Sequence, residues 1–139
     1  MPALIKINKN EANMKTIKYF AIVIFTIAFF FNGCAQSTVK SISVSQLRDD
    51  MKSDSSLVVL DVRTPQELSG PLGKIDGVIN IPLQVLDQRM NELEKYKDRK
   101  IAVICRTGHR SGIASEMLAK KGYNVENVLG GMTEYRKTE

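Results

Sequence analysis

The 139-residue sequence has no tryptophan, a single histidine and two cysteines. It also has no apolar run long enough to cross a bilayer. The longest uncharged apolar stretch, Tyr19 to Phe31, has thirteen residues. At ~1.5 Å per helical residue it reaches about 20 Å, short of a hydrocarbon core of about 30 Å. Basic runs interleaved with aromatics are absent, which excludes the usual footprint of nucleic-acid binding. Internal repeats and low-complexity segments are absent too. The length suits one domain and little more. Much of the formal net charge of +5 lies at the front. From Cys34 onward there are 16 Lys+Arg and 14 Asp+Glu, a net of 16 − 14 = +2.

What precedes Cys34 does not read as a domain. Met14-Lys15-Thr16-Ile17-Lys18 is short and basic, and the apolar stretch follows it directly. That order is the n-region and h-region of a secretory signal. Residues 1–13 fit an n-region poorly, so Met14 is a second candidate start. The aromatics of Tyr19 to Phe31 then belong to a leader, not to a cofactor site. The stretch ends Phe31-Asn32-Gly33-Cys34-Ala35, which resembles a bacterial lipobox. The resemblance implies a leader over 1–33, a lipidated Cys34 as mature N-terminus, and a tether over 34–40. A domain over 41–137 follows. It also implies export and a lipid anchor at the bacterial cell envelope, facing the periplasm or in the outer membrane. Two cysteines in an exported chain invite a disulfide. Acylation of Cys34 removes that pairing and leaves Cys105 as the sole free thiol.

Strand and helix patterns alternate along the domain. Ser41 to Val44 reads as a short strand, and Ser45 as the cap of a helix through about Met51. Leu57-Val58-Val59-Leu60 is uniformly apolar, the pattern of a strand buried on both faces. Thr64 and Pro65 suit an N-cap and a first helical position. Val78 to Ile81 is a strand closed by Pro82. Leu83, Leu86, Met90, Leu93 and Tyr96 predict one helix over 83–96. Ile101 to Ile104 is a second buried strand. Ser111 to Lys121 predicts a helix ending at Gly122. Val125 to Leu129 is the last strand, and Gly130-Gly131 turns into a short helix over 132–136. The order predicts an α/β domain in three layers, with a mostly parallel central sheet flanked by helices. Ligands of such sheets sit beyond the carboxyl ends of strands. Asp61 and Cys105 both lie at such ends.

The segment Cys105-Arg106-Thr107-Gly108-His109-Arg110-Ser111 joins a buried strand to a helix. The thiolate is the nucleophilic form of cysteine, with an unperturbed pKa of about 8.5. Three features favour thiolate here. Unpaired N–H groups and the macrodipole at a helix N-terminus stabilise negative charge. Gly108 lets the chain curl so that successive N–H groups point inward. Arg106 and Arg110 add fixed positive charge, and Arg110 has a planar fork suited to an oxyanion. His109 reads as a solvated loop residue.

This loop resembles the active-site loop of rhodaneses, a sulfurtransferase family with the pattern Cys-x-x-Gly-x-Arg followed by Ser or Thr. Three further segments match in order: Asp61-Val62-Arg63-Thr64-Pro65-Gln66-Glu67, Gly77-Val78-Ile79-Asn80-Ile81-Pro82-Leu83, and Val128-Leu129-Gly130-Gly131. The resemblance spans roughly 40 to 137. It implies transfer of sulfane sulfur through a persulfide on Cys105. The donor would be small, thiosulfate or a persulfide, and the acceptor cyanide or a thiol. Residues Arg106 to Ser111 would supply the anion-binding loop, with Asp61 and Arg63 as a bracing ion pair. It implies no metal, no organic cofactor, no nucleic acid and a monomeric protein. The class-different reading is a membrane-tethered module that binds sulfur or anions, or carries persulfide, without catalysis.

Cysteine phosphatases have a related cradle with the pattern Cys-x5-Arg. Here the arginine arrives one residue sooner, and Ile104 stands where many phosphatases carry His. A smaller cradle suits one sulfur atom better than a tetrahedral phosphate. The chain departs from the rhodanese pattern over residues 68–77, which read as a longer loop near the site mouth with Lys74 where many members have His. Tyr135 replaces the usual Trp, in a core-packing position. If the lipobox reading holds, Cys34→Ala releases the protein from membranes or blocks its processing. An unchanged lipid-labelled band contradicts it.

Overall fold

The computed structural model describes residues 39–138. The leader, the lipobox cysteine Cys34 and most of the tether lie outside the described residues. Among the described residues no helix is long and apolar enough to cross a membrane.

Five strands form one parallel sheet: β1 (Lys40–Ile42), β2 (Val58–Asp61), β3 (Ile79–Asn80), β4 (Lys100–Ile104) and β5 (Asn124–Val128), in the order β1-β5-β4-β2-β3. The helices are α1 (Val44–Ser53), α2 (Pro65–Leu68), α3 (Leu86–Arg89), α4 (His109–Lys120) and α5 (Gly131–Lys137). Alternate residues of the strands feed two separate cores, as the two-residue period of a strand requires. Leu60, Ile101, Val103 and Val125 pack with Leu86, Leu93, Ala114 and Leu118 on one face. Val59, Ala102, Ile104 and Val128 pack with Leu47, Met132 and Tyr135 on the other. Tyr135 is thus core, as expected, and Arg48 stacks 3.9 Å from its ring centroid. The α/β three-layer architecture predicted from the alternation is the one observed.

Three local elements differ from expectation. Ser43, not Ser45, caps α1, and the first strand ends at Ile42. Ser43-Val44-Ser45-Gln46 is a capping box: the Ser43 Oγ accepts from the Gln46 N–H at 3.2 Å, and Gln46 Oε1 accepts from the Ser43 N–H at 2.9 Å. The helix expected over 83–96 is broken into a 3₁₀ turn (Leu83–Val85), α3, and a second 3₁₀ stretch (Met90–Tyr96). Met90, Leu93 and Tyr96 recur every three residues, which aligns them in a 3₁₀ helix with three residues per turn. Helix α4 starts at His109, two residues sooner than expected, because Gly108 takes a left-handed φ of 103° and acts as its N-cap.

Strands β2 and β4 are neighbours, with Asp61 in register with Ile104. Their carboxyl ends therefore bring Asp61 beside the residue that precedes Cys105. Past Asp61 the chain is held by a buried charge pair. Arg63 donates from Nη2 to Asp61 Oδ2 at 2.6 Å and from Nε to both carboxylate oxygens at 3.0 Å. Each side chain is 1% exposed. The same Nη2 donates to the Gly73 carbonyl at 2.8 Å, and Arg136 donates from Nε to the Leu72 carbonyl at 2.7 Å. The long 68–77 loop is thus tied to the body at its far end. Removing one partner of a buried pair strands the other charge. Asp61→Ala is expected to cost roughly 3–5 kcal/mol, read as a lowered urea midpoint. A cost under about 1 kcal/mol, the range of an exposed pair, would contradict the bracing role.

Candidate active site

Cys105 is the first residue after β4 and is 1% exposed. What surrounds its sulfur is backbone amide as well as carbon. The Gly108 N–H donates to Cys105 Sγ at 3.1 Å. The left-handed Gly108 bends the loop so that the N–H groups of Thr107 and Ser111 also address the sulfur, and the Ser111 Oγ lies 3.4 Å away. The twelve-residue α4 begins just beyond, so its N-terminal dipole adds positive potential. Burial pushes the thiol pKa up. The Ser111 hydroxyl and the Ser111, Thr107 and Gly108 amides outweigh burial and bring it below the ordinary thiol value.

The loop is also held from the side of α5. The Met132 N–H donates to the Cys105 carbonyl at 2.8 Å, and the Thr133 N–H donates to the Arg106 carbonyl at 3.0 Å. These are free N–H groups of the first turn of α5, spent on the loop instead of on water. Gly131 makes the approach feasible: a Cβ there would stand 2.5 Å from the Cys105 carbonyl oxygen.

The remaining loop residues divide. Arg106, Thr107 and His109 are exposed, while Gly108 and Ser111 are buried. Arg110 is half-buried, and its fork is engaged by a carboxylate of the protein itself. Its Nη1 and Nη2 donate to Glu67 Oε2 and Oε1 at 2.8 and 2.6 Å. Glu67 in turn caps α2, accepting from the Thr64 N–H at 3.1 Å. Asp61 and Arg63 sit behind the loop as their own pair. A cleft of about 500 Å³ opens between Gln66, Gly70, Pro71 and Leu72 on one side and Arg106 and Thr133 on the other. The long 68–77 loop forms its outer wall. Arg106 reaches this cleft with no ion-pair partner among the described residues. The arrangement combines an activated nucleophile, inward amides for developing negative charge, and an accessible cation at the mouth.

The family model for the rhodanese-like domain matches residues 43–138. The chain belongs to the rhodanese-like domain family. It is 37% identical over 105 residues to YrkF of Bacillus subtilis, which bears a sulfur-carrier name. That match takes in 74% of this chain and 55% of YrkF, so the chain spans about half of that relative. It is 36% identical over 72 residues to the thiosulfate sulfurtransferase PspE of Escherichia coli, covering 51% of this chain and 67% of PspE. Among solved structures, a rhodanese-related protein from Thermoplasma volcanium superposes with a TM-score of 0.64 at 38% identity, over 71% of this chain and 92% of that one. Relatives with sulfurtransferase and sulfur-carrier names support a role in rhodanese-type sulfur transfer.

Two groups of site residues were not singled out by sequence. Gly131 was read only as part of the closing Gly-Gly turn, and it and the Met132 and Thr133 amides act through backbone, which composition does not reveal. Asn127 left one signal: with Glu126 it is one of two polar residues in the strand Val125–Leu129. Buried polar groups are nearly always hydrogen-bonded, so an inward Asn demanded a partner. That partner is Ser111, whose Oγ is 2.7 Å from Asn127 Oδ1.

Glu67 carries a pH prediction. Its hydrogen bonds from Arg110 lower its carboxyl from 4.5 to about 2. A depressed carboxylate stabilises the fold fully above the ordinary value, and that contribution fades as pH falls from 4.5 toward 2. The native protein should therefore lose more stability than Glu67→Gln between pH 5 and pH 2.5, roughly the window those values bracket. Equal losses in urea unfolding would show that the pair contributes nothing.

Proposed function

We propose that the protein moves sulfane sulfur from a donor such as thiosulfate to a thiophilic acceptor through a persulfide on Cys105. The observation that carries this reading is a buried thiol held in inward-facing backbone amides at a helix N-terminus, with its pKa lowered. The resemblance to PspE, named a thiosulfate sulfurtransferase, supports thiosulfate as the donor. The Cys105 thiolate attacks the outer sulfur of thiosulfate. The new S–S bond forms on Cys105 as the donor's S–S bond breaks, and sulfite departs with the electron pair. Cyanide or a thiolate then attacks the outer persulfide sulfur and returns Cys105 to thiolate. Charge is conserved in both steps. The Thr107, Gly108 and Ser111 amides stabilise the inner sulfur when it leaves in the second step. Arg106 attracts the donor anion at the mouth of the cleft.

The domain would act as a monomer, exported and anchored to the cell envelope through lipidated Cys34. One observation favours a second reading, that of a persulfide carrier: the sulfur-carrier name of YrkF. A thiosulfate:cyanide assay on the full chain separates the two. The enzyme turns over continuously and Cys105→Ser abolishes turnover. A carrier takes up one sulfur per chain and does not turn over with small acceptors. Undiminished turnover in Cys105→Ser contradicts both.

A further inference from the structure

Beneath the sulfur lies a hydrogen-bond arrangement that a single serine proton does not satisfy. Ser111 Oγ is 2.7 Å from Asn127 Oδ1, 3.0 Å from the Gly108 carbonyl and 3.4 Å from Cys105 Sγ. All three can accept, but a hydroxyl donates only once. The shortest contact, to the Asn127 oxygen, takes the proton. The hydrogen bond that lowers the thiol pKa needs the hydroxyl proton on the sulfur side; with the proton directed to Asn127, Ser111 instead turns a lone pair toward the sulfur. That orientation suits a neutral thiol, which can donate its S–H, and opposes a thiolate, which needs a donor.

The surroundings favour a movable amide. Ser111 is fully buried, so water does not reach its hydroxyl, while Asn127 is 8% exposed and offers one end of its amide to solvent. Asn127 is in register with Val103 on β4, so it shares the sheet face that Cys105 continues two residues on. Asn127 Nδ2 makes no hydrogen bond to the described residues and is left to solvent. A Cβ on the neighbouring Gly112 would meet Nδ2 at 3.5 Å; glycine leaves bare backbone there. Rotation of the amide by half a turn exchanges Oδ1 for Nδ2 against Ser111. The Nδ2–H then donates to Ser111 Oγ, and the hydroxyl proton is released toward Cys105.

We propose that Asn127 is a positioning residue that switches the Ser111 hydroxyl between accepting from the Cys105 thiol and donating to its thiolate. No bond to hydrogen breaks in the switch; the hydroxyl rotates, and the cysteine proton departs to solvent. Asparagine is suited to this because its side chain offers an acceptor and a donor of the same shape. Aspartate could only hold the proton away from sulfur. The inference rests on the thiolate role of Cys105 proposed above.

The charged groups that face the cysteine are the same residues in every variant except at position 127. They are the Arg110–Glu67 pair from α4 and α2, the Asp61–Arg63 pair at the end of β2, and Arg106 with His109 in the loop. On β5 the nearest is Glu126, paired with Lys40 at 2.6 Å, and α5 contributes Glu134. The measurement is the midpoint pH of iodoacetamide alkylation, read on the Cys105 peptide of the full chain. Asn127→Asp should raise it by roughly one pH unit. In a Ser111→Ala background the same substitution should raise it by less than half as much, because the route through the hydroxyl is gone. A shift of half or more in that background identifies a plain charge effect and overturns the proposal. So does no shift in Asn127→Asp. The native chain gives a test that does not depend on a variant folding. The Asn127 side-chain amide resonances should move with the same midpoint as Cys105, and an amide indifferent to that titration also overturns the switch. A native midpoint at or above about 8.5 instead counts against the thiolate role itself, so the two failures are distinguishable.

Discussion

Gly131 packs so closely against the chain carrying Cys105 that the carbonyls of Cys105 and Arg106 fill the space a side chain would need. A Cβ would meet them at 2.5 to 2.7 Å. This close approach lets the Met132 and Thr133 amides in the first turn of α5 donate to those carbonyls. With its carbonyls anchored outward, the loop turns its own amides inward to the sulfur. Gly108 completes the turn at a φ of 103°, in the left-handed region that favours glycine. The setting of the thiol therefore depends on two positions with no side chain. Its electrostatics combine the Ser111 hydroxyl with three backbone amides, and backbone is positioned by how β4, α4 and α5 pack.

The charges play a supporting part. Arg110 looks like an anion-binding group in the sequence, yet Glu67 occupies its fork. The pair ties α4 to α2 and sets one edge of the cleft. Asp61 and Arg63 perform a similar task deeper down, linking the end of β2 to the 68–77 loop. Arg63 and Arg106 both line the cleft, and of the two only Arg106 carries no ion pair among the described residues. This division of labour keeps fixed positive charge at the mouth while the amides face the sulfur.

Most of the fold was legible because it follows from periodicity. Two uniformly apolar segments at β2 and β4, separated by helical patterns, specify a parallel sheet with both faces covered. Placing Asp61 and Cys105 at neighbouring strand ends needed only that topology. Where expectation and structure part, a competing local rule prevailed. The Ser43–Gln46 box outranked Ser45 as a cap, and three-residue spacing after Met90 drew the chain into 3₁₀ geometry. The cysteine loop was legible as a motif. Its mechanics were less so: the Arg110–Glu67 pair, the Gly131 approach and the Ser111–Asn127 contact all join residues at least sixteen positions apart. Such contacts follow from the tertiary register of α4 on β5 and of α5 on β4, which local patterns do not encode.

The central claim is that Cys105 itself takes up sulfur. Peptide mass mapping of the full chain after exposure to thiosulfate tests it most directly. The account predicts that the Cys105 peptide gains the mass of one sulfur atom, that cyanide removes the gain, and that Cys105→Ser never acquires it. A Cys105 peptide unchanged after thiosulfate and after a persulfide donor, in a folded protein with that thiol reduced, would contradict the account.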